Sequence, residues 1–215
     1  MNGSIRKAAL DILFPEKVAC ISCGREAVLD EGWLCAECRE GIELFNSAPP
    51  PEHVDGYSAA FIYNDVSERI VKRLKYGNAR WIAKPLSEAL SVPADWEFDC
   101  IVPVPLYFRR QLKRGYNQSE LIAKHLAARL GLTVDAGLLI KTRSTRPQAR
   151  LTDAERKRNL KDAFASDDSV KGKRIMLLDD VRTTGATLSA CAGELKKQGA
   201  EAVCALTVCC ARGRN

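Results

Sequence analysis

The segment from Ile175 to Thr187, IMLLDDVRTTGAT, constrains the fold of this chain more than any other feature. Its apolar start predicts a strand over Arg174–Leu178, which places Asp179 and Asp180 at the strand's carboxyl end. A loop rich in threonine then leads directly into a helix predicted over Leu188–Gln198. A strand, a short loop and a helix in this order indicate one unit of a parallel α/β sheet.

Apolar strands and amphipathic helices alternate through the rest of the chain after residue 56. Strands are predicted over Tyr57–Tyr63, Phe98–Val104, Ala136–Lys141 and Ala202–Cys209, and helices over Asp65–Tyr76, Arg80–Leu90, Gln118–Leu130 and Asp153–Leu160. Gly131 and Gly199 directly follow two of the predicted helices, as C-capping glycines do. Apolar strands separated by helices indicate a parallel sheet covered on both faces. We therefore predict an α/β fold with a parallel sheet.

Three consecutive prolines, Pro49 to Pro51, divide the chain into a small and a large part. Proline cannot continue a helix and favours an extended backbone, which suits a semi-rigid linker. We expect a cysteine-bearing module over residues 1–48, a linker over residues 49–56 and the α/β domain over residues 57–215. Residues 5–15 have apolar side chains at helical spacing and are expected to form a short amphipathic helix.

Composition excludes several classes of protein. The 215 residues are 46% hydrophobic and 28% charged, which is typical of soluble globular chains rather than disordered ones. No apolar run approaches the roughly 18–20 residues of a membrane span, and the N-terminus lacks the apolar core of a secretory signal. Nine cysteines, an odd number, argue against a secreted disulfide framework. We expect a cytoplasmic protein, while the oligomeric state stays open.

The loop after the acidic pair has the composition of an anion site. A helix N-terminus exposes unpaired N–H groups and the positive end of the helix dipole, and a glycine lets a phosphate approach closely. The predicted phosphate-binding residues are Thr183, Thr184, Gly185, Ala186 and Thr187. Carboxylates would repel a phosphate but accept hydrogen bonds from ribose hydroxyls. Asp179 and Asp180 are therefore predicted to hold a ribose during catalysis and to support Mg²⁺ through water.

This pattern matches the binding signature for phosphoribosyl pyrophosphate (PRPP) in type I phosphoribosyltransferases. No Gly-Lys-Ser/Thr sequence follows a strand, which excludes a Walker A loop. Arg182 stands where the signature usually carries an apolar residue, and its guanidinium could bind phosphate or point to solvent.

A second basic stretch, PLYFRRQLKRGYNQSE, begins directly after Val104, where a strand is predicted to end. Four of its side chains are cationic, and we expect a turn closed by glycine, with Asn117 among the residues that can cap the next helix. Arginine pairs bidentately with phosphate oxygens, so this stretch suits a pyrophosphate. The candidate residues are Arg110, Arg114 and Gly115. A basic surface loop without a ligand is the alternative.

Residues 139–161 carry eight lysines and arginines against two acidic residues. Such a patch favours a polyanion, either a pyrophosphate or a nucleic-acid backbone, although a solvated basic surface has the same composition. The resemblance to phosphoribosyltransferases implies that the stretch from Lys141 to Phe164 is a mobile loop that closes over bound PRPP. The residues LKYG over Leu74–Gly77 are a further possible contact.

Two CxxC pairs, Cys20 with Cys23 and Cys35 with Cys38, lie eleven residues apart near the N-terminus. This spacing is typical of a four-sulfur tetrahedral zinc site without an open coordination position. A module this small has little core of its own, so the metal would supply much of its folding energy. A redox dithiol and an iron–sulfur cluster are the alternatives.

The order of these motifs resembles that of the ComF family of competence proteins, also described as double zinc ribbon, type I phosphoribosyltransferase-like proteins. The resemblance implies a zinc module, a phosphoribosyltransferase fold, binding of PRPP with Mg²⁺, and a role in DNA uptake during natural transformation. Matching positions beyond those named above are Asn117, Gln118, Arg143, Gln148, Arg156 and Asn159, while Lys141 replaces a frequent arginine.

Two classes of function follow from this resemblance. The chain is either an enzyme that transfers phosphoribosyl to an acceptor, which no residue identifies, or a binding protein. A binding protein would sense PRPP, or hold single-stranded DNA for other competence proteins, with Tyr107, Phe108 and Tyr116 interleaved among the arginines. Some relatives carry a gluconate-utilisation label instead.

Overall fold

A computed structural model of the protein describes residues 19–26, 33–145, 159–160 and 162–212. The helix expected over residues 5–15 lies outside these residues. So do Gln148, Arg156 and most of the stretch proposed to close over a ligand.

Seven strands and six α-helices follow one another along the described residues. In chain order they are α1 (Ala36–Gly41), β1 (Gly56–Ile62), α2 (Asp65–Tyr76), α3 (Ala83–Ala89), β2 (Cys100–Pro103), α4 (Phe108–Arg114), α5 (Gln118–Leu130), β3 (Thr133–Val134), β4 (Ile140–Lys141), β5 (Phe164–Ala165), β6 (Arg174–Arg182), α6 (Ala186–Lys197) and β7 (Ala202–Cys210). Short 3₁₀ helices over Arg80–Ile82 and Asp168–Val170 precede α3 and β6. Every helix in this part of the chain is too short or too polar to cross a membrane.

A five-stranded sheet in the order β1–β7–β6–β2–β3 forms the centre of the protein, and all its pairings are parallel. Met176 and Leu178 of β6 face a core shared with α2, α3 and α5, whereas Ile175 and Leu177 face α6. All four side chains are fully buried. Because helices cover both faces, the run Ile175–Leu178 is apolar at every position rather than at alternate ones. The predicted parallel α/β fold is confirmed.

Strand β6 is longer than predicted, because it runs to Arg182 instead of ending at Leu178. It pairs with β7, an equally long neighbour, up to its last residue. Asp179 and Asp180 therefore belong to the sheet itself, not to a loop beyond it. Helix α6 begins at Ala186, two residues before the predicted start.

The prediction of a turn over the basic stretch after Val104 is wrong. Residues Phe108–Arg114 form α4, which ends at Gly115 with a left-handed φ of 80°. Arginine, lysine, leucine and glutamine all favour helices, and no turn-forming residue precedes Gly115. No residue of α4 is buried.

The prediction of a strand over Ala136–Lys141 holds only for its last two residues, which form β4. This strand pairs antiparallel with β5, outside the parallel sheet. The edge position beside β2 is taken by β3, which was not predicted.

The cysteine-bearing residues pack on α2. Ser22 donates a hydrogen bond to the Val66 carbonyl at 2.9 Å, and Arg73 donates one to the Cys20 carbonyl. The proline segment is also packed, since buried Pro51 lies against Gly185. The domain boundaries at residues 48 and 56 stay predictions.

Candidate functional site

The carboxyl ends of β2 and β6 border a cavity of about 520 Å³, which we call the main cavity. Ligands of parallel α/β sheets usually bind at this edge. Most of the predicted ligand-binding residues line it: Arg110, Arg114, Asp179, Asp180, Thr183, Gly185, Ala186 and Thr187. Two motifs that are distant in sequence therefore meet at one cavity.

Two predicted residues, Thr184 and Gly115, do not line the main cavity. The Thr184 hydroxyl accepts a weak hydrogen bond from the backbone N–H of Ala186 at 3.4 Å. Gly115 ends α4, and its N–H donates to the Gln111 carbonyl at 2.7 Å. In the structure, both residues shape the backbone beside the cavity.

Asp179 is held in place by two hydrogen bonds. Its Oδ1 accepts from the Ser119 hydroxyl at 3.0 Å and from the backbone N–H of Asp180 at 2.8 Å. Ser119 lies in the first turn of α5, where Asn117 accepts from its N–H at 3.1 Å and donates to the Val104 carbonyl at 3.0 Å. The predicted cap at Asn117 is confirmed, and it fixes the Ser119 donor that orients Asp179.

Asp180 forms an ion pair with Lys75, from the last turn of α2. Both side chains are largely withdrawn from solvent, with 6% exposure for Asp180 and 22% for Lys75. Among the described residues, the Asp180 oxygen that faces Lys75 has no donor other than the Lys75 ammonium, and the positive charge of Arg114 adds to the attraction. The sequence indicated only that the LKYG stretch was a possible contact.

The two neighbouring carboxyl groups differ in pKa. Burial, reinforced by the adjacent Asp180 carboxylate, raises the pKa of Asp179 to about 7. Burial also acts to raise the pKa of Asp180, but the Lys75 ammonium outweighs it and lowers that pKa below its usual value. Asp180 is therefore ionised at neutral pH, and Asp179 is the member of the pair that titrates there.

We expect the raised pKa of Asp179 to make the folded state less stable as pH rises from its ordinary pKa of 3.8 towards about 7. Over this range the folded state holds a proton that the unfolded state has released, so the unfolding free energy falls with pH. In urea unfolding between pH 5.5 and 8, the unfolding free energy of Asp179→Asn should fall less steeply with pH than that of the parent chain. Asp95→Asn, at an exposed carboxylate, is the control. If the unfolding free energy of Asp179→Asn and of the parent fell equally steeply with pH, the raised pKa of Asp179 would be contradicted.

Helical spacing divides the four cations of α4 between two cavities. Arg110 and Arg114, one turn apart, line the main cavity. Arg114 donates to the Gln118 side chain and lies 5.3 Å from the centre of the Tyr76 ring. Arg109 and Lys113 line a smaller, adjoining cavity.

Arg182 does not simply point to solvent. Its guanidinium carbon lies 4.2 Å from the centre of the Tyr57 ring, and its side chain passes beside Gly185. Its Nη1 is buried without a hydrogen-bond partner in the described part of the chain. A positive charge therefore lies directly behind the threonine–glycine loop.

Another cavity of about 520 Å³ lies along α6. Among the described residues, it is lined by Ala186 of the predicted phosphate loop and by Leu160, Asp162, Ala163 and Phe164 of the stretch predicted to close over a ligand. Its charged lining consists of Glu52, Asp162 and Glu194 against Lys197, with His53 beside them. The excess of carboxylates makes this cavity unsuitable for a polyanion.

The four N-terminal cysteines lie together, and their sulfur atoms are all within 4.8 Å of one another. Cys23 and Cys35 Sγ are 3.8 Å apart. Tetrahedral zinc with bonds of about 2.3 Å separates its sulfur ligands by roughly 3.8 Å, so the tetrad fits a zinc ion. Arg69 Nη2 of α2 lies 4.0 Å from Cys38 Sγ, where it can offset the charge of a thiolate.

Two solved structures are similar to part of this chain. The B. subtilis glutamine PRPP amidotransferase complexed with ADP and GMP has a TM-score of 0.39 and 22% identity, covering 60% of this chain and 25% of that one. The adenine phosphoribosyltransferase from Thermoanaerobacter pseudethanolicus has a TM-score of 0.35 and 18% identity, covering 66% and 85%. Both scores are below 0.5, so the likeness is partial.

Curated relatives resemble the chain more strongly, although no protein-family profile matches it. DNA utilization protein YhgH of Salmonella typhi is 41% identical over 111 residues, 52% of this chain and about half (49%) of that protein's length. YhgH of Escherichia coli O6:H1 is 31% identical over 210 residues, covering 88% of this chain and 89% of that one. Competence protein F of Haemophilus influenzae is 28% identical over 213 residues, covering 86% and 93%. With this similarity over nearly the full length, the chain belongs to the ComF family of competence proteins.

Proposed function

We propose that the chain binds PRPP in the main cavity and a structural zinc ion at its four N-terminal cysteines, and that it acts in DNA uptake. One observation carries the PRPP proposal. An acidic pair, a threonine–glycine loop at a helix N-terminus and two arginines one turn apart line the same cavity. These groups match a ribose, a phosphate and a pyrophosphate in turn. The names of the relatives, competence protein F and DNA utilization protein, support the context of DNA uptake.

The extended shape of PRPP fits the layout of the cavity. The 5′-phosphate would bind at the loop Thr183–Thr187, above the charge of Arg182, and the ribose hydroxyls would donate to the acidic pair. The pyrophosphate would bind Arg110 and Arg114. Mg²⁺, bound with PRPP, would reduce the charge of the pyrophosphate, and the carboxylates can support it through water.

As an enzyme, the chain would transfer phosphoribosyl to an acceptor. The bond from C1 to pyrophosphate oxygen breaks, positive charge develops on the ribose ring, and the acceptor bonds to C1 with inversion. Asp179 and Asp180 would hold the ribose through this change, while Arg110 and Arg114 stabilise the departing anion.

A binding role for single-stranded DNA is the second candidate, favoured by exposed aromatic groups beside the cations of α4. Tyr76 is 77% exposed and Phe108 is 54% exposed, so bases can stack on them. Tyr116 does not belong to this surface, because it is buried and its hydroxyl donates to the Leu74 carbonyl. A chain that senses PRPP without turning it over is compatible with the same residues.

Titration calorimetry with Mg·PRPP tests the shared proposal. Gly185→Trp should weaken binding by at least about a hundredfold, because a Cβ at this position meets Pro51 at 2.9 Å and φ is 84°. Gly131→Trp is the matched control, since Gly131 also has a positive φ, 70°, but lies outside the cavity with open space around it. Parent-like affinity in both Gly185→Trp and Asp180→Ala would exclude this site.

Pyrophosphate release across a panel of acceptors separates the enzyme from the binding protein. Release that depends on one acceptor would establish transfer. No release, together with DNA binding that weakens steeply between two salt concentrations, would favour the binding role.

A further inference from the structure

A smaller cavity of about 250 Å³ adjoins the main cavity beside α4, and we call it the basic side pocket. Its polar lining includes Tyr107, Arg109, Arg110, Lys113, Lys141 and Ser144. It shares Arg110 and Lys141 with the main cavity, so ligands in the two would lie next to each other.

Helix α4 carries two pairs of cations, and Arg110 of one pair borders both cavities. Residues four apart in a helix lie on the same side, so Arg110 and Arg114 turn towards the main cavity. Arg109 and Lys113 form a parallel pair one residue earlier and turn towards the side pocket. A pyrophosphate held by Arg110 and Arg114 leaves Arg109 and Lys113 available for another anion.

The side pocket holds positive charge without a matching carboxylate. Among the residues that the structure describes, its lining contains four cationic side chains and no acidic one. Within the described residues, no ion pair joins any of the four to a carboxylate. Lys141 is enclosed against the Phe164 ring, 5.1 Å from its centre. Burial, with repulsion from Arg110 and Arg143, lowers the pKa of Lys141. An anion in the pocket would relieve this repulsion.

We propose that the basic side pocket binds the phosphate of a second ligand, a nucleotide, beside the pyrophosphate end of PRPP. The proposal rests on the proposed function, because it takes the main cavity as the PRPP site. The pocket is larger than a phosphate alone, and the half-buried Tyr107 ring in its wall can stack on a base. The hydroxyl of Ser144 can donate to a phosphate oxygen. A free nucleotide and the terminal residue of a DNA strand offer the same chemistry.

Binding measurements with three probes test the proposal: thymidine 5′-monophosphate, thymidine, and single-stranded decathymidylate, each with and without Mg·PRPP. The pocket variant is Arg109→Ala/Lys113→Ala, at two exposed residues of α4. The matched control is Lys84→Ala/Lys124→Ala, which removes two exposed cations outside both cavities.

We expect the pocket variant to lose at least about tenfold in affinity for a phosphate-bearing probe, the control to lose less than twofold, and thymidine not to bind. If the pocket variant loses affinity for thymidine 5′-monophosphate, the ligand of the pocket is a free nucleotide. If it loses affinity for decathymidylate alone, the ligand is a DNA strand. Equal losses in the pocket variant and the control, for every probe, would overturn the proposal.

The affinity for PRPP separates this proposal from the proposed function. The pocket variant should bind PRPP within about threefold of the parent chain. A loss of PRPP affinity as large as the loss of nucleotide affinity would assign the pocket to the pyrophosphate itself and overturn the proposal. If the parent chain binds no PRPP but the pocket variant still loses affinity for the nucleotide, the proposed PRPP site is refuted. The proposal for the side pocket then still holds.

Discussion

Replacing both Cys20 and Cys38 by serine is expected to abolish zinc binding, with a fall from one zinc per chain to none. It should also unfold the N-terminal part of the chain. The chelation of structural zinc by small modules contributes on the order of 10 kcal/mol of apparent folding free energy. Metal analysis and urea unfolding of the double variant and the parent chain measure both effects.

Among the residues that the structure describes, little apolar packing surrounds the tetrad, and we expect the dependence on metal for this reason. The buried cluster there consists of Cys20 and Cys38 themselves together with Val66, which α2 supplies. Cys204→Ser, at a free cysteine far from the tetrad in sequence, is the control and should keep its zinc. A double serine variant with a full complement of zinc would refute the site. Visible absorption from iron and sulfide in the purified chain would favour the cluster alternative.

Breaking the ion pair between Lys75 and Asp180 is expected to have the second large effect. Lys75→Met or Asp180→Asn alone leaves one buried charge without its partner, which costs about 3–5 kcal/mol. The double variant removes both charges of the pair and should cost clearly less than the sum of the two single changes. Urea unfolding of the parent and the three variants yields the coupling energy.

An exposed ion pair supplies the comparison for this cycle. Lys124 and Glu120 lie 2.7 Å apart on the surface of α5, where the lysine is 61% exposed. Solvent screening should limit their coupling to below about 1 kcal/mol. If the losses of unfolding free energy in Lys75→Met and Asp180→Asn simply added up in the double variant, the buried ion pair would contribute no more to stability than this exposed one.

The sequence predicted best those features whose chemistry and local structure both depend on neighbouring residues. The run IMLLDDVRTTGAT predicts a strand, an acidic pair, an anion loop and a helix from neighbouring residues alone, and the structure has these elements in this order. The CxxC pairs are equally local, since each pair fixes the approach of its two sulfurs. The sulfur atoms indeed lie together.

Contacts between distant parts of the chain could not be predicted from the sequence. Lys75 meets Asp180 because α2 packs on the sheet edge where β6 ends, and no pattern within either segment reveals that contact. The full length of β6 depends on β7 in the same way. The helical state of α4 decides which cations share a cavity, and an exposed basic run has no apolar periodicity that would reveal a helix.

The contact between Pro51 and Gly185 ties the proline segment to the loop proposed for phosphate. Residue 185 has no room for a side chain, because Pro51 occupies the space that a Cβ would need. Four residues later, Asp55 accepts from the Val203 N–H at 2.7 Å and pairs with Lys196 at 2.7 Å, which anchors the segment to β7 and α6. A shortened chain that began at Gly56 would therefore lose the back wall of its own ligand loop. Insertions between Pro51 and Asp55 would have the same effect, so the segment's length is set by the ligand loop.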